Sequence, residues 1–140
     1  MLKVLAAIDG SMPADRAVEH VVRLAKNGTP VEVLLLNVQP EIATSQTHGM
    51  GQDAMVAHRH ELGQRAAEIA ERVLQAAGIH YELRVQTGDA AETITRMAKE
   101  QGSDLIVMGT RGMGAIENLV IGSVAYKVVH LARAPVTMVK

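Results

Sequence analysis

The sequence lacks cysteine, phenylalanine and tryptophan altogether, and it contains only two tyrosines. Without cysteine the chain cannot form disulfides, thiolate zinc sites or a cysteine nucleophile, which fits a reducing compartment. Because single-stranded nucleic acid is usually recognised by stacking bases on aromatic side chains, the scarcity of aromatics argues against that function. The interior must therefore be filled by Val, Leu, Ile, Ala and the eight methionines.

A charge excess of one sign is also lacking. The formal net charge is −1 and no run of Lys or Arg occurs, so a surface that tracks nucleic-acid phosphates is not expected. No apolar stretch approaches the ~20 residues that span a bilayer. The apolar start ends at Asp9 and has no cleavage pattern, so a secretory signal is not expected either. We therefore expect a cytoplasmic protein that binds neither nucleic acid nor membrane.

What is present is an alternation of short apolar runs and longer segments with helical spacing. The chain has 140 residues, of which 48% are hydrophobic, and this size suits one domain over residues 1–140. Strands are predicted at residues 2–8, 31–38, 81–86, 104–108 and 136–139, with apolar residues at three- and four-residue steps between them. This order predicts a parallel sheet with helices on both faces and the mixed-polarity third strand at an edge.

Local signals indicate where helices and loops begin. Ser11 is expected to cap the first helix, and Asp89 with Glu92 forms a pair similar to a capping box before the third. Apolar spacing marks the second helix over residues 62–76. Residues 39–52 have turn-forming residues and no period, and they exceed the usual length of a connection, so they are interpreted as a binding loop or lid.

Two connections that follow strands carry residues suited to a ligand. One is Asp9-Gly10-Ser11, and the other runs from Gly109 through Gly112 to Gly122-Ser123. Ligands of open parallel sheets bind beyond the carboxyl ends of the strands. Glycine lets backbone amides approach a ligand, and the free amides and dipole of a helix that begins near Ser123 favour a phosphate. The alternative is a tight surface turn in which Ser123 only caps the helix and Asp9 only forms a turn.

Better-known phosphate and catalytic motifs do not fit. No Gly-Lys-Ser/Thr of a Walker A loop occurs, and the first strand-to-helix turn does not have the glycine spacing of the Rossmann fingerprint. No serine lies in a Gly-x-Ser-x-Gly elbow. The six histidines have no i, i+4 spacing to a carboxylate, so a dedicated metal site is not expected. An efficient hydrolase is therefore unsupported.

The spacing Gly109-x2-Gly112-x9-Gly122-Ser123 resembles the ATP-binding motif of universal stress proteins. The likeness extends over nearly the whole chain, through residues 4–11, 37–38, 88–89, 104–109 and 134–136. It implies a Rossmann-like α/β fold with an open five-stranded parallel sheet in the order 3-2-1-4-5. Strands one and four then lie side by side at the switch point, so that their two loops can share one ligand. It also implies a homodimer through the last strand, Val136–Val139.

The resemblance implies which residues bind the nucleotide. The adenosine group comprises Asp9 at adenine or ribose and the Val38 backbone at the adenine edge, with Ala6 and Pro40 as walls. Ser11, in the same turn as Asp9, is also expected to bind the nucleotide. The ribose and phosphate group comprises Gly109, Arg111, Gly112, Gly122, Ser123 and Val124. For Arg111, a position in solvent is an open alternative.

Within this motif only Arg111 is a cation. Mg²⁺ or Mn²⁺ is therefore expected to bind together with ATP, mainly through phosphate oxygens. The leading hypothesis is an ATP-dependent regulatory module of the stress response. One alternative is a dimeric interaction protein of the same fold that binds no nucleotide. Another is an enzyme, either a slow ATPase or a relative of the pyrophosphatases, although the Ser-Gly-Gly-x-Asp-Ser loop of the latter does not occur.

Overall fold

The computed structural model describes residues 1–41, 51–112 and 121–140, and this part of the chain alternates strands with helices. Residues 42–50 of the predicted loop and residues 113–120 of the glycine-bearing connection lie outside the described part. Every predicted strand is present, and no strand end differs from its prediction by more than one residue. The elements are β1 (Leu2–Ala7), α1 (Met12–Lys26), β2 (Val31–Gln39), α2 (Gln52–Ala76), β3 (Tyr81–Thr87), α3 (Ala90–Glu100), β4 (Leu105–Gly109), α4 (Ser123–Leu131) and β5 (Val136–Val139).

The strands form one parallel sheet in the order β3-β2-β1-β4-β5. This confirms the predicted order, including the edge position of β3. In the centre, Ala6 pairs with Leu35 of β2 on one side and with Val107 of β4 on the other. The chain runs outward from β1 to β3, then crosses to β4 on the opposite side of β1. The carboxyl ends of β1 and β4 are therefore the switch point of the sheet.

Helices pack on both faces of the sheet, because alternate residues of the central strands are apolar toward each face. Val4 and Ala6 of β1 lie in the cluster with α1 and α2, whereas Leu5 lies in the cluster with α3 and α4. Met97 and Met108 fill the second cluster and are 4% and 6% exposed. These two methionines are core residues, as predicted.

Both predicted helix caps are present. The Ser11 hydroxyl oxygen accepts a hydrogen bond from the Ala14 amide at 3.4 Å at the start of α1. The Asp89 carboxylate accepts one from the Glu92 amide at 3.0 Å at the start of α3. Each side chain satisfies a backbone donor that the helix itself leaves without an acceptor.

The second helix begins earlier than its apolar spacing indicates. It starts at Gln52 rather than near residue 62. Its first turns are largely exposed, and its buried stripe begins only at Gly63 and continues through Ala67, Ala70 and Leu74. Apolar periodicity shows which face of a helix is buried, so the solvent-exposed first turns of α2 have no apolar pattern from which a helix could be predicted. In the described ranges, no helix is long and apolar enough to cross a membrane.

Candidate functional site

A cleft of about 520 Å³ opens at the carboxyl ends of β1 and β4. Its volume falls in the range typical of small-molecule sites, about 300–1,000 Å³. The floor consists of apolar residues from the strand ends and α3, and the rims are the β1–α1 turn and the start of α4. The lining residues are Ala7, Ile8, Asp9, Ala14, Leu36, Val38, Ala90, Ile94, Met108, Gly109, Thr110, Arg111, Gly112, Gly122, Ser123, Val124 and Ala125.

The structure brings most of the expected adenosine and phosphate groups together in this cleft. Asp9 and Val38 line it, and so do all six residues of the expected ribose and phosphate group: Gly109, Arg111, Gly112, Gly122, Ser123 and Val124. These residues are up to 115 positions apart in the sequence, from Asp9 to Val124. The switch point of the sheet is what makes them neighbours.

Three residues expected to contact the nucleotide are not part of the cleft lining in the described ranges. Ser11 is only 7% exposed, and its hydroxyl caps α1. Ala6 is fully buried and packs among the residues under α1 and α2. Pro40 is exposed and follows the last residue of β2. The structure thus gives Ser11 a structural contact, while its expected contact with a ligand stays a prediction.

Two glycines of the cleft, Gly109 and Gly112, allow a close approach that a side chain would prevent, and neither has an unusual backbone conformation. Among the described glycines, those with positive φ are Gly10, Gly28, Gly78, Gly88 and Gly102, and all of these lie outside the glycine-serine motif. A Cβ on Gly109 would come within 2.7 Å of the Pro13 Cβ and 3.0 Å of the Ala14 amide nitrogen. Gly109 therefore allows the end of β4 to pack directly against the first turn of α1.

Gly112 contacts the turn after β1. A Cβ on Gly112 would lie 2.5 Å from the Asp9 Oδ2 atom, far inside the ordinary carbon–oxygen contact of about 3.3 Å. The other carboxylate oxygen of Asp9 accepts a hydrogen bond from the Ser11 amide at 2.9 Å. The absence of a side chain at Gly112 thus lets the Asp9 carboxylate lie against the loop that follows β4.

The start of α4 faces the cleft without a side-chain cap. Its N-cap is Gly122, with φ −75° and ψ 166°, and among the described residues no side-chain cap hydrogen bond is made to the first turn. The alternative in which Ser123 caps the helix is therefore wrong, because Ser123 is already the first helical residue. The Gly122 amide donates to the Thr110 carbonyl at 2.6 Å, which holds the helix start against the end of β4. Backbone donors in such a first turn are available to an anion.

The cleft carries little net charge. Among its lining residues in the described part of the chain, the charged side chains are Asp9 and Arg111. Behind the Asp9 turn, burial and then the carboxylates of Asp9 and Glu19 raise the pKa of Asp15 above its usual value. The β1 side of the cleft is therefore acidic, and the positive contribution comes from Arg111 and the dipole of α4.

An ion pair joins α4 to α3 beside the cleft. The Lys127 Nζ atom lies 3.1 Å from the Asp89 Oδ2 atom and 3.5 Å from the Glu92 Oε1 atom. The hydrogen bond from the Glu92 amide, and then that from Lys127, hold the pKa of Asp89 below its usual value. Because these side chains are largely exposed, the pair adds orientation more than stability.

One buried polar residue near the cleft, Asn37, belongs to the stretches that carry the family resemblance, but no role was predicted for it from the sequence. Its side chain is 2% exposed, and its Nδ2 donates to the Ile8 carbonyl at 2.9 Å. Its Oδ1 accepts from the Gln39 side-chain amide at 2.6 Å. The available signal was a polar residue inside the apolar run of β2, next to its carboxyl end.

Comparison with known proteins places this architecture in a family. A model of the Universal stress protein family matches residues 1–140. Universal stress protein YxiE of Bacillus subtilis is 32% identical over an alignment of 146 positions, gaps included. The alignment covers 99% of this chain and 98% of that protein.

Two solved structures illustrate the similarity in fold. Hypothetical protein MJ0577 is 26% identical, with a TM-score of 0.83 over 99% of this chain and 95% of that chain. At3g01520 of Arabidopsis thaliana, a universal stress protein family protein solved with AMP bound, is 23% identical, with a TM-score of 0.72 over 100% and 92%. Since the family model matches the chain from end to end and the relatives are similar over nearly their full length, this chain belongs to the universal stress protein family.

Proposed function

We propose that this protein binds ATP, or a closely related adenine nucleotide, in the cleft between β1 and β4, and acts as a nucleotide-dependent regulatory module of the stress response. The observation that carries the proposal is the start of α4. It has a glycine N-cap and no side-chain cap, and it opens into a cleft with an apolar floor. A helix start of this kind favours phosphate, and an apolar floor suits a base.

The phosphates are assigned to the α4 side of the cleft. The amides of Ser123 and Val124 lie in the first turn, where donors have no acceptor within the helix. The Ser123 hydroxyl adds another donor, and Arg111 adds a positive charge. Gly122 has an ordinary φ of −75°, so its backbone does not require glycine. Its value to the site is that no side chain stands between the phosphate and the amides.

The adenosine is assigned to the β1 and β2 side. Asp9 accepts a ribose hydroxyl, and the backbone of Val38 meets the edge of the base. The apolar residues Ala7, Ile94 and Met108 of the lining contact the faces of the base. AMP bound to a solved protein of the same fold supports an adenine ligand. Titration with AMP, ADP and ATP measures the contribution of each phosphate, and we expect ATP to bind most tightly.

A divalent cation is proposed to enter with the nucleotide. The phosphates of ATP carry several negative charges near neutral pH, while the lining offers a single basic side chain, Arg111, among the described residues. Mg²⁺ commonly keeps its waters and binds through phosphate oxygens with few protein ligands. We therefore expect ATP affinity to fall when Mg²⁺ is removed by a chelator. Equal affinity with and without Mg²⁺ would contradict this part of the proposal.

The direct test of the site replaces Gly122 by valine. At least two charge-assisted hydrogen bonds would be lost, each worth about 1.5–3 kcal/mol, so ATP affinity should fall by about a hundredfold or more. Gly51→Val is the matched control, because Gly51 is also an N-cap with φ −69° and ψ 160°, at the start of α2. Calorimetric titration of both variants and the original chain gives the result. Unchanged affinity in Gly122→Val would show that the phosphates bind elsewhere.

The same titrations separate the alternatives. A folded protein that binds no nucleotide at any concentration favours an interaction protein. Rapid conversion of ATP to AMP and pyrophosphate, followed by chromatography, favours an enzyme. Slow hydrolysis to ADP is compatible with a binding site, since a bound metal and the amides of α4 stabilise developing phosphate charge.

We also propose a homodimer through β5. The Ile106 and Thr110 amides donate to the carbonyls of Pro135 and Val139, so the backbone groups of Met138 point away from β4 toward the open edge. An open apolar edge favours pairing with a second copy. Met138→Pro removes an outward-facing donor without removing a bond to β4, so it should give monomers in sedimentation equilibrium. A dimer that survives this substitution would exclude β5 pairing.

A further inference from the structure

The hydrogen-bond ladder between β1 and β2 ends in an unusual way at the cleft. The register runs to Ala7 and Leu36, and one more bond joins the Ile8 amide to the Leu36 carbonyl at 2.9 Å. The next bond of a parallel ladder would join the Val38 amide to the Ile8 carbonyl. In the described ranges this bond is not formed, and the Ile8 carbonyl accepts the Asn37 side chain instead.

The orientation of Val38 follows from its neighbours. The Val33 amide donates to the His80 carbonyl and the Gly88 amide donates to the Gln39 carbonyl, so odd-numbered residues of β2 bond to β3. Since a strand residue directs its N–H and C=O to the same side, Val38 directs both groups away from β3, toward the end of β1. Val38 lines the cleft. Its donor and acceptor therefore face the space where β1 has ended.

Hydrogen bonds and packing fix the Asn37 side chain in the position where it occupies the Ile8 carbonyl. It is 2% exposed, its Oδ1 accepts the Gln39 side chain at 2.6 Å, and its Nδ2 donates to Ile8 at 2.9 Å. From the other side, α2 presses close, since a Cβ on Gly63 would lie 3.1 Å from the Asn37 Oδ1. A buried amide with both ends bonded has one orientation available.

We propose that Asn37 is a positioning residue: by occupying the Ile8 carbonyl it keeps the backbone N–H and C=O of Val38 open to the base, and so makes the cleft select adenine. This rests on the proposed function. The edge of adenine offers an amino donor beside a ring-nitrogen acceptor, which matches a backbone C=O and N–H pair. Guanine offers the opposite order there, so the same pair would face like groups.

The test uses Asn37→Leu, which has a similar shape and no donor. The orphaned Ile8 carbonyl should then capture the Val38 amide, because an unpaired buried carbonyl is unfavourable. Hydrogen exchange followed by NMR in the protein without nucleotide should show the Val38 amide exchanging about tenfold more slowly in the variant than in the original chain. Equal exchange at Val38 in the two proteins would overturn the proposal.

Binding provides the second readout. We expect Asn37→Leu to lower ATP affinity by about tenfold or more, the loss of one hydrogen-bonded pair, and to leave inorganic tripolyphosphate affinity unchanged, because α4 is untouched. An equal loss for both ligands would show that Asn37 only supports the fold. Thr93→Val is the control: Thr93 is also buried, at 4% exposure, but does not line the cleft, so both affinities should persist.

A milder variant covers the case in which Asn37→Leu does not fold. Gln39 is only half-buried, and Gln39→Leu removes its bond to Asn37 while keeping the strand. Like Asn37→Leu, it should slow exchange of the Val38 amide and lower the ratio of ATP to GTP affinity, but both changes should be smaller. No change in either would overturn the proposal. Failure of the original chain to bind ATP would refute the proposed function, whereas exchange at Val38 reports the Asn37 geometry by itself.

Discussion

Replacing Gly112 by alanine isolates the contact between the two loops that form the cleft. Gly112 is not among the described glycines with positive φ, so alanine introduces no backbone strain. Among the described residues, the group that the new Cβ would crowd is the Asp9 carboxylate, with Oδ2 at 2.5 Å and Cγ at 3.7 Å. The substitution therefore moves Asp9 and leaves the rest of the site in place.

The size of the effect follows from these distances. To restore an ordinary carbon–oxygen contact of about 3.3 Å, the carboxylate must retreat by almost 1 Å, and a hydrogen bond to ribose that lengthens by this amount is broken. Hydrogen bonds to charged groups are worth about 1.5–3 kcal/mol, so ATP affinity should fall by roughly ten- to a hundredfold. Because Asp9 is exposed, the free energy of unfolding should change by less than about 1 kcal/mol.

The assay is calorimetric titration with ATP, combined with urea unfolding. Gly51→Ala is the matched control, because nothing lies within 4 Å of a Cβ at Gly51. A double-mutant cycle with Asp9→Ala tests the route of the effect. Once Asp9 is removed, Gly112→Ala should cause no further loss of affinity. Normal affinity in Gly112→Ala, or an undiminished loss in the Asp9→Ala background, would refute the reasoning.

Two further predictions concern stability. Gly109→Ala should lower the free energy of unfolding by about 1–3 kcal/mol, the usual range for overpacking. The reason is that the new Cβ would lie 2.7–2.9 Å from side-chain and backbone atoms of Pro13. An unchanged urea midpoint would contradict this packing. Asp15→Asn should stabilise the protein at neutral pH by at most about 0.5 kcal/mol, since Asp15 is only partly buried and solvent screens much of the effect of its charge. The folded pKa of Asp15 is raised above its ordinary 3.8, so the ionised form is disfavoured by folding, and the gain should vanish as pH falls below 3.8. Urea unfolding at neutral pH and below pH 3.8 measures the gain in stability. A gain that grows in acid would contradict the assigned direction of the Asp15 pKa shift.

Much of the architecture can be predicted from the sequence because the strands of a doubly covered sheet are continuous apolar runs. Residues 2–8 and 104–108 are runs of this kind, and their predicted ends differ from those of the observed strands by at most one residue. The strand order came from the family resemblance. The exposed first turns of α2 have no apolar stripe, and so gave no signal for its start at Gln52.

Most residues of the candidate site could be predicted from the sequence, but the physical reason for each of them could not. The glycine spacing identified Gly112 and Gly122, but the physical reason for each glycine depends on neighbours that are remote in sequence. Gly112 lies against Asp9, and Gly109 lies against Pro13. The role of Asn37 could not be predicted from the sequence, because its side chain donates to a backbone carbonyl, that of Ile8. Any residue type can supply such a group, so the sequence does not reveal it.

The cleft between β1 and β4 is proposed to hold an adenine nucleotide. The most direct test of this proposal is to purify the protein, denature it, and identify and quantify any released nucleotide by mass spectrometry, with ATP titration of the nucleotide-free protein alongside. We expect an adenine nucleotide approaching one per chain, or ATP binding that Gly122→Val weakens by about a hundredfold or more. A folded protein that releases no nucleotide and binds none in titration would contradict it.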